Sequence, residues 1–423
     1  MSDEKIERAV LVSIAASSSH VRECELSLDE LERLLSTAGA SAFCKVIQIK
    51  ESFDPRTCLG KGKVQEIAEI CKNNGIGLVV FDFELSPMQI RNLEADFGGD
   101  VRVLDRSMLI LDIFALHATS GEGKLQVELA QLKYSAPRLV GHGTELSRQG
   151  GGIGTRGPGE SKLETDRRHL HEKINSLEAR LRELEHNRSV MRAKRDRSGI
   201  PKIGIVGYTN AGKSTLLNRI TDAGVLSEDK LFATLDPTTR KATLPSGETV
   251  LFTDTVGFIR KLPHHLVKAF KSTLDEVVYS DVLLIVSDVN DPEVGEHLRV
   301  TEEVISDLGA GDKPRIYVYN KCDALDNCAQ HVEPREDTVM ISARTGYGME
   351  ELFTLISDML SRLKKEYTLL VPYAEQACVS SMYDKYSVLS TEYLAEGVLV
   401  RVVLDERGRG LYGGYIVTSD GEV

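Results

Sequence analysis

A chain of 423 residues exceeds what one hydrophobic core organises, so about two to four domains are expected. A hydrophobic share of 41% and a charged share of 27% are those of an ordinary soluble globular protein. The net charge of −12 excludes a polycation that coats nucleic acid over its whole surface, although charge can still be concentrated locally.

In chain order, the leader MSDEKIER is not net basic, so the apolar run Ala9–Ala16 reads as a first buried strand, not a signal segment. Short apolar runs at Val10–Ile14, Lys45–Ile49, Leu78–Phe81 and Val101–Leu104 read as buried strands. Helical patterns near 27–38, 63–73 and 86–96 separate them, which predicts an N-terminal parallel α/β domain over 1–116. Gly60-Lys61-Gly62-Lys63 opens one of these helices without the spacing of a phosphate loop and reads as a surface turn. The cysteines (Cys24, Cys44, Cys58, Cys71, Cys322, Cys328 and Cys378) form no C-x-x-C pair, which fits a reducing, cytoplasmic setting. No stretch approaches the roughly 20 apolar residues of a membrane span.

Leu125, Leu129, Leu132, Ala136 and Leu139 recur at steps of four and three, and Leu170, Ile174, Leu177, Leu181 and Leu184 repeat the pattern. Two such seams predict an antiparallel helical hairpin arm over 117–198, with the glycine-rich stretch from about 141 to 159 as its tip. Within that stretch, Gly152–Gly157 matches G-x-G-x-x-G, the signature of a dinucleotide site. The preceding GHGTELSRQ is polar and broken by glycine, so the strand that a dinucleotide fold requires is missing. Between Arg148 and Ser198 there are 13 Lys+Arg and 8 Asp+Glu, an excess of +5 (13 − 8) in a chain that is otherwise acidic. That local excess marks a candidate anion-binding surface, with a solvated helix face as the alternative. Gly154, Arg156, Gly157, Lys162, Arg167 and Arg168 are its candidate RNA contacts, through backbone amides and guanidinium groups.

Beyond the charged boundary near 192–201, Lys202–Val206 reads as a strand and Gly207-Tyr208-Thr209-Asn210-Ala211-Gly212-Lys213-Ser214 follows it as G-x-x-x-x-G-K-[ST], with a helix behind. In that context the backbone amides cradle phosphates, Lys213 neutralises β/γ charge and Ser214 can ligate Mg²⁺. Three more strand ends follow. Asp254-Thr255-Val256-Gly257 suits a metal-side carboxylate and a γ-phosphate amide, and Asn320-Lys321-Cys322-Asp323 places a carboxylate that guanine, but not adenine, can satisfy with two donors. Ser342-Ala343-Arg344 fits the last base-contacting loop. The four together predict a P-loop GTPase domain over 199–365 that binds GTP and GDP. A small α+β C-terminal domain over 366–423 is expected, with strand-like 367–372, helix-like 374–384 and strand-like 397–404 and 411–417. Phe258 stands where many small GTPases carry a water-positioning glutamine, so slow intrinsic turnover is expected.

These motifs, with GGIGTRGPGESKLETDRR (151–168) and LFATLDPTTR (231–240), make the chain resemble the HflX GTPases of the Obg–HflX group along nearly its whole length. The resemblance implies binding to the large ribosomal subunit and its RNA, with GTP-dependent dissociation of idle or stalled ribosomes. It also implies that Thr234, within Phe232-Ala233-Thr234-Leu235-Asp236, is the second Mg²⁺ ligand; spacing alone leaves Thr234, Thr238 and Thr239 open. Related GTPases use an asparagine at the place of Asn210 to hold K⁺, which makes Asn210 a catalytic candidate beside Lys213, Thr234 and Gly257. The alternative class is a regulatory G protein acting on a protein partner without RNA. The free protein is expected to be a monomer.

Overall fold

The computed structural model describes residues 6–139, 158–196, 199–221, 231–232, 237–261, 263, 266, 271–324 and 337–419. The chain divides into two compact units, 1–185 with 227–236 and 256–274, and 186–226 with 237–255 and 275–423.

In the first unit, β1 (Arg8–Ala15), β2 (Ser41–Ile49), β3 (Leu78–Phe81) and β4 (Arg102–Asp105) form a parallel sheet in the order β2-β1-β3-β4. Its central strands are apolar along their length because both faces are covered. The covering helices are α1 (Val21–Thr37), α2 (Lys61–Asn74) and α3 (Pro87–Asp96). Local chemistry sets their ends: Ser86 and Gln89 make a reciprocal capping box with Pro87 in the first turn, and Gly75 ends α2 in the left-handed region. A further helix, α4 (Arg106–His117), is not anticipated by periodicity. Leu109, Ile110, Leu111, Ile113 and Phe114 are all buried, so it is apolar nearly all round and shows no amphipathic signature.

Two long helices follow, α5 (Gly121–Leu139) and α6 (Pro158–Asp196). Ion pairs Lys133–Glu178 and Lys173–Glu128 link them, both at 2.7 Å, and Tyr134 donates to Asp105 at 2.6 Å to tie α5 to the sheet. The expected tip, with Gly154, Arg156 and Gly157, lies outside the described residues.

The second unit holds a six-stranded sheet, order β10-β9-β8-β5-β7-β6. Its strands are β5 (Lys202–Gly207), β6 (Thr238–Thr243), β7 (Thr249–Asp254), β8 (Val282–Asp288), β9 (Arg315–Asn320) and β10 (Thr338–Met340). All pairings are parallel except β6 with β7. Helices α7 (Lys213–Ile220), α9 (Val294–Asp307) and α10 (Met349–Arg362) accompany it, and α8 (Lys271–Val278) begins in the first unit and ends in the second. The C-terminal part is an antiparallel sheet, order β12-β13-β11-β14, built from β11 (Lys365–Val371), β12 (Ser387–Leu394), β13 (Gly397–Leu404) and β14 (Ile416–Ser419). With α11 (Gln376–Lys385) and α12 (Glu406–Tyr412) the order along the chain is βαββαβ. The strand expected over 411–417 is corrected here. Asp405 accepts a hydrogen bond from Gly408 N at 2.7 Å and starts a helix that runs to Tyr412, so the strand begins only at Ile416. Strand β12 was not expected, because as a largely exposed edge it lacks an apolar alternation. Among the described residues no helix is long and apolar enough to cross a membrane.

Candidate functional site

Strand β5 runs into the turn 207–212 and α7 leaves it, so the first turn of that helix faces whatever the turn encloses. Backbone geometry makes the glycines necessary. Gly207 has φ 146° and a Cβ there would lie 2.1 Å from Val286 O; Gly212 has φ 90° and a Cβ would lie 2.3 Å from Asn320 Nδ2. Asn210 between them is left-handed (φ 61°), a conformation asparagine tolerates better than most residues. Lys213 is buried, and its ammonium donates to Tyr208 O at 2.8 Å. Burial lowers its pKa to about 8, a shift that the nearby Asp254 carboxylate opposes. Thr209 is buried as well, and its hydroxyl has no hydrogen-bond partner among the described residues. The Tyr208 ring stacks on His297 of α9 with centroids 3.7 Å apart and planes 9° from parallel, which fixes the entry to the turn.

Strand β7 delivers Asp254 to the neighbouring position, where its buried carboxylate accepts from Ser214 Oγ at 2.6 Å. Thr255 donates to Ile205 O at 2.9 Å and so belongs to the scaffold between strands. The hydroxyl and carboxylate oxygens of Ser214 and Asp254 are the hard donors that Mg²⁺ takes. Of the threonine alternatives, Thr239 is held to Thr253 within the sheet, Oγ1 to Oγ1 at 2.9 Å. Ala233, Thr234, Leu235 and Asp236 lie outside the described residues, whereas Phe232 is buried against Phe114.

At the far end of the sheet, Asn320 bridges two loops: its Nδ2 donates to Ala211 O and its Oδ1 accepts from Ala343 N, both at 2.9 Å. One buried amide thus fixes the phosphate turn against the 342–344 loop. Asp323 stands exposed in a short 3₁₀ turn, and Cys322 is half-buried beside it. Ser342 is fully buried and its hydroxyl accepts from Thr345 N, so it shapes the loop, while Arg344 points to solvent. Sequence reasoning did not find Arg219, whose guanidinium donates to Ala343 O at 3.0 Å and also to Arg344 O. It carries no motif of its own, and only the fold brings it to a loop more than 120 residues away.

Val256, Gly257 and Phe258 follow β7, and Phe258 is fully buried, a packing role that agrees with its inability to orient water. In the first unit the segment that continues from them is anchored by a buried charge cluster. Asp82 accepts from Ser27 Oγ at 2.6 Å, Arg106 at 2.8 Å and Lys261 Nζ at 2.8 Å. Arg106 also meets Glu30 at 2.5 Å and donates to Arg260 O at 3.1 Å. Asp82 and Arg106 belong to no recognisable motif either. Of the candidate RNA contacts, Arg167 and Arg168 are exposed on α6, and the side chain of Lys162 lies outside the described residues.

Comparison with known proteins covers most of the chain. Residues 25–115 match the family profile "GTP-binding GTPase N-terminal", 117–195 match "GTP-binding GTPase Middle Region", and 202–321 match "50S ribosome-binding GTPase". The GTPase HflX of Lacrimispora saccharolytica is 50% identical over 396 residues, 93% of this chain and 92% of the relative. That of Escherichia coli is 45% identical over 387 residues, 90% of this chain and 89% of the relative. A solved GTP-binding protein of Sulfolobus solfataricus in complex with GDP is 27% identical, with a TM-score of 0.44 over 85% of this chain and 100% of that one.

Proposed function

The chain belongs to the HflX family of GTPases, and from that premise we propose that it binds the large ribosomal subunit and uses its nucleotide state to dissociate idle or stalled ribosomes. The observation that carries the reading is the presence, in one chain, of a formed P-loop site and of a long helical pair whose connecting segment is rich in glycine and carries Arg148 and Arg156. A segment of ten residues with five glycines (151–160) is suited by its composition to close backbone approach to another surface and ill suited to building a core. Arg156 within it, and Lys162, Arg167 and Arg168 behind it, are suited to phosphates and unpaired bases. The domain division is proposed as 1–116, 117–198, 199–365 and 366–423.

In hydrolysis, water attacks the γ-phosphorus, the bond to the β,γ-bridging oxygen breaks, and GDP and phosphate leave. The amides of 207–214 and the Lys213 ammonium receive the charge that gathers on the β- and γ-oxygens. Ser214, aligned by Asp254, and Thr234 would hold Mg²⁺, which would supply positive charge against the charge that develops on the phosphates. Gly257 would offer its amide to the γ-phosphate, and Asn210 would help hold K⁺. Asn320, Lys321, Cys322 and Asp323 with Ser342, Ala343 and Arg344 enclose the base, and Asp323 accepts from N1 and the exocyclic amine of guanine. Since Phe258 positions no water, the catalytic arrangement is completed on the ribosome.

Co-sedimentation with purified ribosomal subunits tests the reading. Retention with the large subunit in a non-hydrolysable GTP analogue, and release in GDP, is expected. Equal, negligible retention in both states would leave a GTPase that acts elsewhere.

A further inference from the structure

The turn between β8 and α9 carries none of the nucleotide-binding motifs, yet it grips one of them. We infer that Asp288 and Asn290 are positioning residues for guanine binding, acting through Lys321; the inference rests on the assignment of 320–323 to the base. Asp288, the last residue of β8, lies beside Asn320 in the parallel ladder. One of its carboxylate oxygens meets Lys321 Nζ at 2.9 Å. The other accepts from Asn290 twice, from the backbone N–H at 3.0 Å and from Nδ2 at 3.2 Å. Asn290 Nδ2 also donates to Lys321 O at 2.9 Å, and Val289 N donates to Asn320 O at 3.0 Å. The side-chain charge and the carbonyl of Lys321 are therefore held by the same turn.

What that grip accomplishes follows from the backbone. Lys321 has φ 66°, a left-handed conformation that a long side chain adopts only where its surroundings enforce it. This single residue turns the chain out of β9 into the 3₁₀ turn that presents Asp323 to solvent. Released from Asp288 and Asn290, Lys321 relaxes towards the right-handed region and Asp323 leaves the place from which it meets the base. The phosphate turn is held by other contacts, from Asn320 Nδ2 to Ala211 O and from Lys213 Nζ to Tyr208 O, so the loss belongs to the base end of the nucleotide.

The test is made on the full-length protein with Asp288→Ala and Asn290→Ala, measuring GDP and GTP affinity and the single-turnover rate at saturating GTP. Both nucleotides should weaken by the same factor, about tenfold or more, as for loss of a charge-assisted contact, with the saturating rate unchanged. The same substitutions are then made on Lys321→Gly. Glycine adopts the left-handed conformation freely, so Asp288→Ala should add no further loss there. Wild-type affinity in both single variants, a fall in rate at unchanged affinity, or losses that simply add on Lys321→Gly would each overturn the inference. Asn290 is exposed, so its variant carries the test should Asp288→Ala not fold. Asp323→Asn measured in parallel separates the two levels: if it leaves guanine preference intact, the assignment of the base loop itself is what fails.

Discussion

Burial holds the Lys213 ammonium at about 8, well below the ordinary lysine range. Phosphates beside it favour the charged form and raise that value again. Above about pH 8, binding must therefore take up a proton, and GTP affinity should fall as pH rises, by up to about tenfold per unit. Titration calorimetry in buffers of differing ionisation enthalpy at pH 7.5 and 9 checks this; proton-independent binding at both would contradict it. Lys213→Ala should weaken GTP binding by at least about 2 kcal/mol. At the base, Asp323→Asn exchanges an acceptor pair for one acceptor and one donor, and preference should move towards xanthine nucleotides, read by competition binding. The motif residues were legible because fixed spacings in the sequence carry them. His297, Arg219, Asp288 and Asp82 were not, since each acts on a partner tens to hundreds of residues away and has no local pattern.

Elements were readable where burial is one-sided or complete over a short run, as in β1, β3 and β5. They were lost where the pattern is flattened. Helix α4 is apolar all round, β12 is an exposed edge, and the aromatic run near 411–417 imitates a strand until the Asp405 cap is seen. The same scale decides how the segment after Phe258 is held. Asp82, fully buried, is the acceptor shared by Ser27, Arg106 and Lys261. Asp82→Ala should destabilise the first unit by about 3–5 kcal/mol, as expected when one partner of a buried charge network is removed. Denaturant unfolding followed by hydrogen exchange in β1 and β3 would show it, and wild-type protection there would contradict it. The glycine-rich connection between α5 and α6 bears the opposite expectation. Arg156→Ala should weaken ribosome binding and make its salt dependence shallower, because fewer phosphates are neutralised. GTP affinity of the isolated protein should stay unchanged, and a loss confined to GTP binding would misplace that segment.

For the whole molecule, slow turnover alone and stimulation by large subunits should go together, since Phe258 stands where many small GTPases carry a water-positioning glutamine. Phe258→Ala should not abolish ribosome-stimulated hydrolysis, because no chemistry is assigned to the ring. Hydrolysis should be slower in Na⁺ than in K⁺ at equal ionic strength if Asn210 helps hold the monovalent ion. The central claim is that GTP, not GDP, turns this chain into a factor that separates ribosomes. Light scattering of intact 70S ribosomes mixed with the protein measures it directly. The account predicts a fall in scattering, with free subunits on a sucrose gradient, in GTP or its non-hydrolysable analogue and none in GDP. Undiminished scattering in the GTP state, with the protein shown to be GTP-bound, would contradict it.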